Sequence, residues 1–221
     1  MLTEVSMVKR IISIPLIMLG LLLSVAALGL TAYNLWDNHR AGIEAEAVLD
    51  AITQHREKVE NTESAAAPTP ELPPDLNSGS ENNPVKELPV VEIGGNRYIG
   101  TISVPVIGLE LPVLEDWSLA LLKIAPCRYM GSPYRGDLII CAHNYASHFG
   151  HLKNLEPGDE VVFTDVEGNA FHYTVAELDT LAGTAVEEME SGEWDMTLFT
   201  CTLGGETRVT VRCDLLESSE E

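Results

Sequence analysis

A cysteine near the carboxyl end is the residue best placed to act as a nucleophile. Cys201 ends the alternating run TLFTC (197–201), which predicts a β-strand, and a glycine-containing loop, TLGGE (202–206), follows at once. A thiol at the end of a strand is held on rigid backbone while its sulfur stays accessible. The pattern therefore predicts thiol chemistry at Cys201.

Two further residues could complete such a site. His143 follows the apolar run 138–142 and precedes a loop, so it also lies at a predicted strand end. Arg208 begins the next run after the Cys201 loop, and antiparallel strands joined by a short loop bring such positions together. An imidazole can move protons, and a guanidinium can hold an oxyanion without titrating. Arg212, at the same strand parity, is a rival, and we favour Arg208 because it begins the strand.

The charge of the chain excludes one class of partner and adds a requirement to the site. The 221 residues carry 34 acidic and 13 basic side chains, a net charge of −21. Binding of nucleic acid requires a basic surface, so we expect none. A free thiol has a pKa of about 8.5, and surrounding negative charge disfavours its thiolate. Cations such as His143 and Arg208 would oppose that effect beside Cys201.

We expect the other three cysteines to be buried structural thiols, because unpaired cysteine is among the most buried residue types. They are Cys127, Cys141 and Cys213. Cys141 and Cys213 lie in strand-like runs and could instead form a disulfide in an exported domain. The sequence does not give the strand register that would decide between these two possibilities.

Metal binding is the weaker interpretation of two residue groups. His143, His148 and His151 with Cys141 could ligate zinc, but the spacing of His148 and His151 favours a solvated helix face. The acidic group in 187–193 could bind calcium, although such a run favours solvent-facing charge. We therefore predict no metal and no cofactor.

Short β-branched stretches separated by turns predict a mainly β domain. The predicted strands are Tyr98–Val106, Leu111–Leu114, Leu138–Ala142, Glu160–Asp165, Ala170–Glu177, Thr197–Cys201 and Thr207–Leu215. Turn residues at 157–159 and 167–169 separate strands, and the second turn predicts a hairpin. Two short helices are predicted, Trp117–Ala125 after Asp116 and Ser147–Leu155. This arrangement favours an antiparallel barrel or sandwich over alternating strands and helices.

An uncharged apolar run near the amino end predicts a membrane anchor. Residues 11–30 form 20 consecutive uncharged, mostly apolar positions, and Tyr33 and Trp36 follow where the membrane interface would lie. Twenty residues of helix span about 30 Å, the thickness of a bilayer core. A cleaved signal peptide is the alternative, but its apolar region is usually shorter. We expect residues 11–35 to cross the membrane.

The flanking charges predict the orientation of that anchor. Lys9 and Arg10 precede the apolar run, whereas the residues after Asp37 are mixed to acidic. Positive charge is retained on the cytoplasmic side, so we expect a cytoplasmic amino terminus and an extracellular domain.

Composition divides the chain into segments. We expect a cytoplasmic tip and anchor in 1–36, a solvated juxtamembrane helix in 37–60 and a disordered spacer in 61–90. The spacer is rich in Pro, Ser, Asn and Glu, and it contains too few large apolar residues to offset the entropy of ordering. The folded domain then occupies 91–217, before an acidic tail at 218–221.

Several of these segments resemble one family. The run TLFTC (197–201) matches the TLxTC signature of the sortases, the membrane-anchored cysteine transpeptidases of Gram-positive bacteria. The strand before His143, the turn PGD (157–159) and the segment VIGLELPV (106–113) are similar to the corresponding family stretches. The candidate residues also follow the family order of His, Cys and Arg. The resemblance covers roughly residues 97–216.

The resemblance implies a closed eight-stranded β-barrel with two or three short helices behind a transmembrane helix. It implies that Cys201 attacks a backbone carbonyl of an LPxTG-like sorting signal, and that an amine of the cell wall or of a pilin resolves the thioacyl enzyme. His143 would be the general acid/base, and Arg208 would position substrate and stabilise the oxyanion. Thr200 and Asn144 would bind substrate.

The class of sortase stays open. The spacer has no Asp-Pro-aromatic lid motif and residues 217–221 are polar. Both features favour a housekeeping or specialised anchoring enzyme over a pilin-polymerising one. An extracellular cysteine peptidase that only hydrolyses its substrate, and an inactive membrane-tethered binding module, are the alternative functions.

Overall fold

The computed structural model describes residues 2–65 and 86–216. The chain divides into two units, residues 1–40 and 41–221, and the long helix α1 (Leu2–Ala65) contributes to both. In the described residues one segment, Leu16–Trp36, is long and apolar enough to cross a membrane, with a mean hydropathy of 2.2 and no buried residue. It overlaps the predicted anchor at 11–35.

The second unit is built on nine strands in the described part of the chain. They are β1 (Val91–Ile93), β2 (Asn96–Val104), β3 (Leu109–Leu114), β4 (Cys127–Met130), β5 (Leu138–Ala142), β6 (Glu160–Asp165), β7 (Ala170–Ala182), β8 (Met196–Cys201) and β9 (Thr207–Leu215). Their order is β1-β2-β3-β4-β5-β8-β9-β7-β6, and β2 also pairs with β6. Strands β2 to β9 thus form a closed barrel, which confirms the predicted eight-stranded barrel, and β1 extends it beside β2.

The strand pairing differs from the purely antiparallel prediction at two places. β3 pairs with β4, and β5 with β8, in parallel. A parallel pair needs a long crossover connection, which here includes β6 and β7 between β5 and β8. The bounds of β5, β6 and β9 match the prediction, whereas β1 and β4 were not predicted because they are short and lack clear alternation.

The predicted helices are present as tighter and shorter turns. The segment 117–125 contains a 3₁₀ helix at Leu121–Lys123, and 147–155 contains one at Phe149–Asn154. Short connecting turns commonly adopt this geometry. A third 3₁₀ helix lies at Pro105–Ile107, and a short helix α2 (Val186–Glu190) lies between β7 and β8.

The main core lies inside the barrel. Alternate residues of the strands point inward, and large side chains such as Ile102, Phe163, Tyr173 and Leu198 are fully buried there. Phe149, from the 3₁₀ helix after β5, is also fully buried in this core. The loop that carries His143 is therefore fastened to the barrel a few residues downstream.

The second half of α1 packs on the barrel. Ala45 and Ile52 are buried in barrel clusters, and Arg56 donates to the carbonyls of Thr164 (2.8 Å) and Asp165 (2.9 Å). This contact differs from the expectation of a solvated helix, which the many charges between its apolar residues suggested. The apolar residues of this segment are too few to show periodicity, so only the packing reveals the buried face.

The predicted spacer and tail fall mostly outside the described residues. Residues 66–85 and 217–221 are not described, while 61–65 continue α1. Residues 86–90 lie against the barrel, where Lys86 Nζ is 2.7 Å from Glu167 Oε2 and Leu88 packs on the main core.

Candidate active site

Register brings the three candidate catalytic residues to one end of the barrel. On β8, Met196 and Leu198 point into the core, so Cys201 lies on the outer face. Cys201 pairs with Arg208 across the β8–β9 ladder. Ala142, the last residue of β5, pairs with Thr200 in the parallel β5–β8 ladder, so His143, directly after β5, follows at the same end of the barrel as Cys201.

Cys201 opens into an apolar cleft. It is a free, partly exposed thiol, and it lines a cleft of about 250 Å³ together with Ala142, Thr200 and Arg208. His143 follows directly after Ala142 but is not among the residues that line this cleft in the described part of the chain. A thiol on the wall of such a cleft can reach a bound peptide carbonyl.

Three aromatic rings form one side of the cleft. Tyr129 lies 5.6 Å from Trp117 and 5.4 Å from Phe199, measured between ring centroids. The hydroxyl of Tyr129 donates to Glu190 Oε1 (2.9 Å), and burial followed by this hydrogen bond raises its pKa. Sequence reasoning missed these rings, although Phe199 shares the strand parity of Cys201. Tyr129 reaches the cleft on the unpredicted β4, and Trp117 lies in the connection between β3 and β4.

Arg208 keeps much of its guanidinium available. Within the described residues its hydrogen bonds both use Nη1, which donates to the carbonyls of Gly205 (2.9 Å) and Thr207 (3.1 Å) in its own turn. Gly183 lies beside it, since a Cβ there would be 3.3 Å from Arg208 Nη1 and 2.9 Å from the carbonyl oxygen of Glu206. The absence of a side chain at 183 thus leaves room for the guanidinium in the cleft.

Arg212, the rival candidate, has a different environment. It is 4% exposed, and its Nη1 donates to Thr197 Oγ1 (2.9 Å) and to the carbonyl of Met189 (3.0 Å). Its Nη2 donates to the carbonyl of Glu188. Burial lowers its pKa. Arg212 therefore fastens α2 to the barrel, and α2 supplies one wall of the cleft.

In the loop after β5, which begins at His143, three rings contact one another in sequence. His143 is partly buried and stacks on Tyr145, with ring centroids 4.3 Å apart and planes 15° apart. Tyr145 lies 5.4 Å from His148. His148 is 0% exposed, so the prediction of a solvated helix face is wrong for it, while His151 is exposed. Burial, and then His143, lowers the pKa of His148 to about 4.

The two predicted substrate-binding residues differ in position. Thr200 is 3% exposed and lines the cleft, and its Oγ1 donates to the carbonyl of Ala142 (2.9 Å) across the β5–β8 ladder. Asn144 is partly buried directly after His143, and it does not line the cleft in the described residues. Its role stays a prediction.

The remaining thiols are buried, as expected. Burial raises the pKa of Cys127 and of Cys213 to about 12 in each case, and it raises the pKa of Cys141 as well. The alternative of a Cys141–Cys213 disulfide is wrong, because Cys213 points into the main core and Cys141 belongs to the cluster outside it. Of the four thiols, only Cys201 is partly exposed.

No group of three or more His, Cys, Asp or Glu side chains in residues 2–65 and 86–216 is arranged to hold a metal ion. The acidic side chains at 187, 188, 190 and 193 are exposed, and Glu190 accepts the hydroxyl of Tyr129.

The fold and these side chains define a β-barrel protein with a thiol-based site at one end of the barrel. Residues 102–216, just over half of the chain, match the sortase domain. The chain belongs to the sortase family.

Two relatives illustrate the similarity. Sortase A of Bacillus anthracis is 27% identical over 124 residues, which are 52% of this chain and 57% of that protein, so the match spans little more than half of the relative. Sortase C1 of Streptococcus agalactiae superposes with a TM-score of 0.50 at 25% identity, covering 58% of this chain and 72% of that chain.

Proposed function

We propose that this protein is a cysteine transpeptidase that cleaves an LPxTG-like sorting signal and joins the protein bearing it to an amine. The observation that carries the proposal is the placement of Cys201, a partly exposed thiol on the wall of an apolar cleft, directly across the ladder from Arg208. Membership of a family of membrane-anchored transpeptidases supports it.

The first half of the reaction cleaves the sorting signal. His143 takes the proton of the Cys201 thiol as the sulfur forms a bond to the scissile carbonyl carbon, and Arg208 holds the developing oxyanion. His143 gives a proton to the leaving amide nitrogen as the C–N bond breaks. The product is a thioester on Cys201 and a free amine on the released carboxyl-terminal segment.

The second half joins the acyl group to its acceptor. An amine attacks the thioester carbon, and His143 takes the proton that the amine loses and passes it to the sulfur as the C–S bond breaks, which restores the thiol of Cys201. Splitting amide exchange in this way needs no external energy source, because one amide is exchanged for another. The acceptor is an amine of a cell wall precursor or of a pilin subunit.

The shape of the cleft supports an extended apolar substrate. Leucine and proline side chains of a sorting signal would pack on the aromatic wall of Trp117, Tyr129 and Phe199. Thr200 lines the same cleft. Asn144 directly follows His143, and we propose that it contacts the acyl or acceptor group.

We also propose a location for this reaction. The segment Leu16–Trp36 anchors the protein in the cell membrane, with Lys9 and Arg10 on the cytoplasmic side and the barrel outside the cell. Surface proteins that carry a carboxyl-terminal sorting signal are the substrates that this location would offer. Between the end of α1 at Ala65 and the segment 86–90 that lies against the barrel, residues 66–85 act as the spacer before the catalytic domain.

The test is a ligation assay with the full-length protein in detergent. An LPxTG peptide and an amine acceptor should give a ligated product by mass spectrometry, together with an acyl adduct on Cys201. Cys201→Ala should give neither, while the matched variant Cys127→Ala, at a buried thiol, should keep both. Hydrolysis without ligation would replace the proposal with a cysteine peptidase. Absence of any adduct would replace it with an inactive binding module.

A further inference from the structure

The catalytic role proposed for His143 leaves its orientation unexplained. Its Nδ1 is buried and has no hydrogen-bond partner among the described residues. In nucleophile–imidazole pairs a third group commonly orients the base through that nitrogen. In this protein a contact other than a hydrogen bond at Nδ1 must orient the imidazole of His143.

Tyr145 occupies the position from which a ring can be held by packing. The two rings are nearly parallel, 15° apart, with centroids at 4.3 Å, so rotation of the imidazole about its ring torsion would collide with the tyrosine face. An aromatic face is also attractive to an imidazolium, which His143 becomes when it carries the proton in transit.

The backbone around Tyr145 is closely packed. His148 and Gly150 both donate their N–H groups to the carbonyl of Tyr145, at 3.0 and 2.9 Å, and Phe149 donates to the carbonyl of His143 at 3.2 Å. A Cβ at Gly150 would lie 2.7 Å from the carbonyl oxygen of Tyr145. This turn, anchored by the buried Phe149, holds the tyrosine ring in place.

His148 lies against the Tyr145 ring without adding charge, with ring centroids 5.4 Å apart. It is 0% exposed, and neither ring nitrogen has a hydrogen-bond partner among the described residues. Burial keeps its pKa low, at about 4, so the ring is neutral at neutral pH. A charged ring there would repel an imidazolium at His143.

We propose that Tyr145 is a positioning residue for His143, and that the neighbouring buried ring of His148 supports Tyr145. The inference rests on the proposed role of His143 as general acid/base. Tyr145 contributes its ring face, and its hydroxyl is not required for this task. The stack replaces the hydrogen-bonded third group of other nucleophile–imidazole sites.

The test compares Tyr145→Leu with Tyr145→Phe in the full-length protein. Loss of the ring should lower kcat for ligation by about tenfold or more with KM nearly unchanged, because a misplaced acid/base slows chemistry without removing substrate contacts. Tyr145→Phe should retain the wild-type rate. The contrast variant is Tyr129→Leu, which removes a ring from the cleft wall and should raise KM instead.

A second measurement needs no substrate. Iodoacetamide should alkylate Cys201 more slowly at neutral pH in Tyr145→Leu than in wild type, with thermal unfolding unchanged. His148→Leu should cause a smaller decrease in the same direction, and the exposed neighbour His151→Leu should cause none. If wild type fails to ligate but the alkylation pattern is found, the proposed function fails and the positioning role stands. An unchanged kcat and alkylation rate in Tyr145→Leu, or equal losses in the Leu and Phe variants, would overturn the positioning role.

Discussion

The two ends of the β8–β9 ladder carry the same kind of pair on the same outer face but in different surroundings. At one end Arg208 faces Cys201, its bonds satisfied within its own turn and its guanidinium turned toward a cleft. At the other end Arg212 faces Thr197, is buried, and bonds to two carbonyls of α2.

The difference shows that one face of β9 can carry both an arginine available for catalysis and an arginine that stabilises the fold. Arg208 lies beside a loop and a glycine, so it stays accessible and can bind a developing charge. Arg212 lies under α2, where a planar group with five donors can satisfy several carbonyls at once. Strand parity places both arginines on the face of the thiol, and the covering segment decides which of them can bind a ligand.

The largest expected effect follows removal of either proposed catalytic side chain near Cys201. Arg208→Ala and His143→Ala should each lower kcat/KM for ligation by at least about 10²-fold, because each removes a group that acts on the transition state. The free energy of unfolding should stay close to that of wild type. Near wild-type kinetics in either variant would remove that residue from the mechanism.

The next largest expected effect is a loss of folding stability in acid, caused by protonation of the buried His148. Its pKa is about 4 in the folded protein and about 6.5 when unfolded, so between these values the unfolded state binds the extra proton. The free energy of unfolding should therefore decrease by about 2 to 3 kcal/mol as the pH falls from 7 to 4. Urea unfolding, followed by tryptophan fluorescence, would measure this. His148→Phe should remove that part of the slope and Arg212→Met should keep it.

The next effect concerns Arg212, which lies under α2 at the other end of the β8–β9 ladder. Its replacement should lower the stability of the fold and weaken substrate binding. Arg212→Met leaves two carbonyls and a hydroxyl without their charged donor, so unfolding should become easier by about 2 kcal/mol. KM for the sorting peptide should increase as α2 loosens. Alkylation of Cys201 should be unaffected. Arg208→Met is the matched control, with lost turnover and normal stability, and an inverted pattern between the two variants would contradict the assignment.

The smallest effect concerns the ladder that joins the thiol strand to the histidine strand. Thr200→Val removes the hydrogen bond to the carbonyl of Ala142 at nearly constant volume and should destabilise the fold by about 1 kcal/mol. The exposed Thr180→Val on β7 should cost nothing comparable. A loss of ligation far larger than the loss of stability would show that the hydroxyl of Thr200 contacts substrate directly.

Local patterns predicted the β8–β9 region well. Alternation gave the strand bounds within a residue, and a short connecting loop implies antiparallel pairing, so the facing of Cys201 and Arg208 followed from the chain itself. The parallel pairs could not be predicted in this way, because β5 and β8 are separated by two intervening strands and no local signal encodes their register.

The same limit explains the residues that sequence reasoning missed. Tyr129 reaches the cleft on a four-residue strand that pairs with β3 in parallel, and His148 contacts Tyr145 in a loop whose next residue, Phe149, is buried in the core. Spacing alone placed His148 with His151 on a solvated face, whereas burial of the segment separated their environments.

Residue types and their order along the chain determined which groups are chemically competent: an apolar segment that can enter a bilayer, alternating strands, and a strand-end thiol followed by an arginine. The closed barrel decided which of these groups meet, because register between distant strands sets the neighbours of each side chain. It also decided which arginine is covered and which thiol is accessible, since burial depends on segments that pack from elsewhere in the chain.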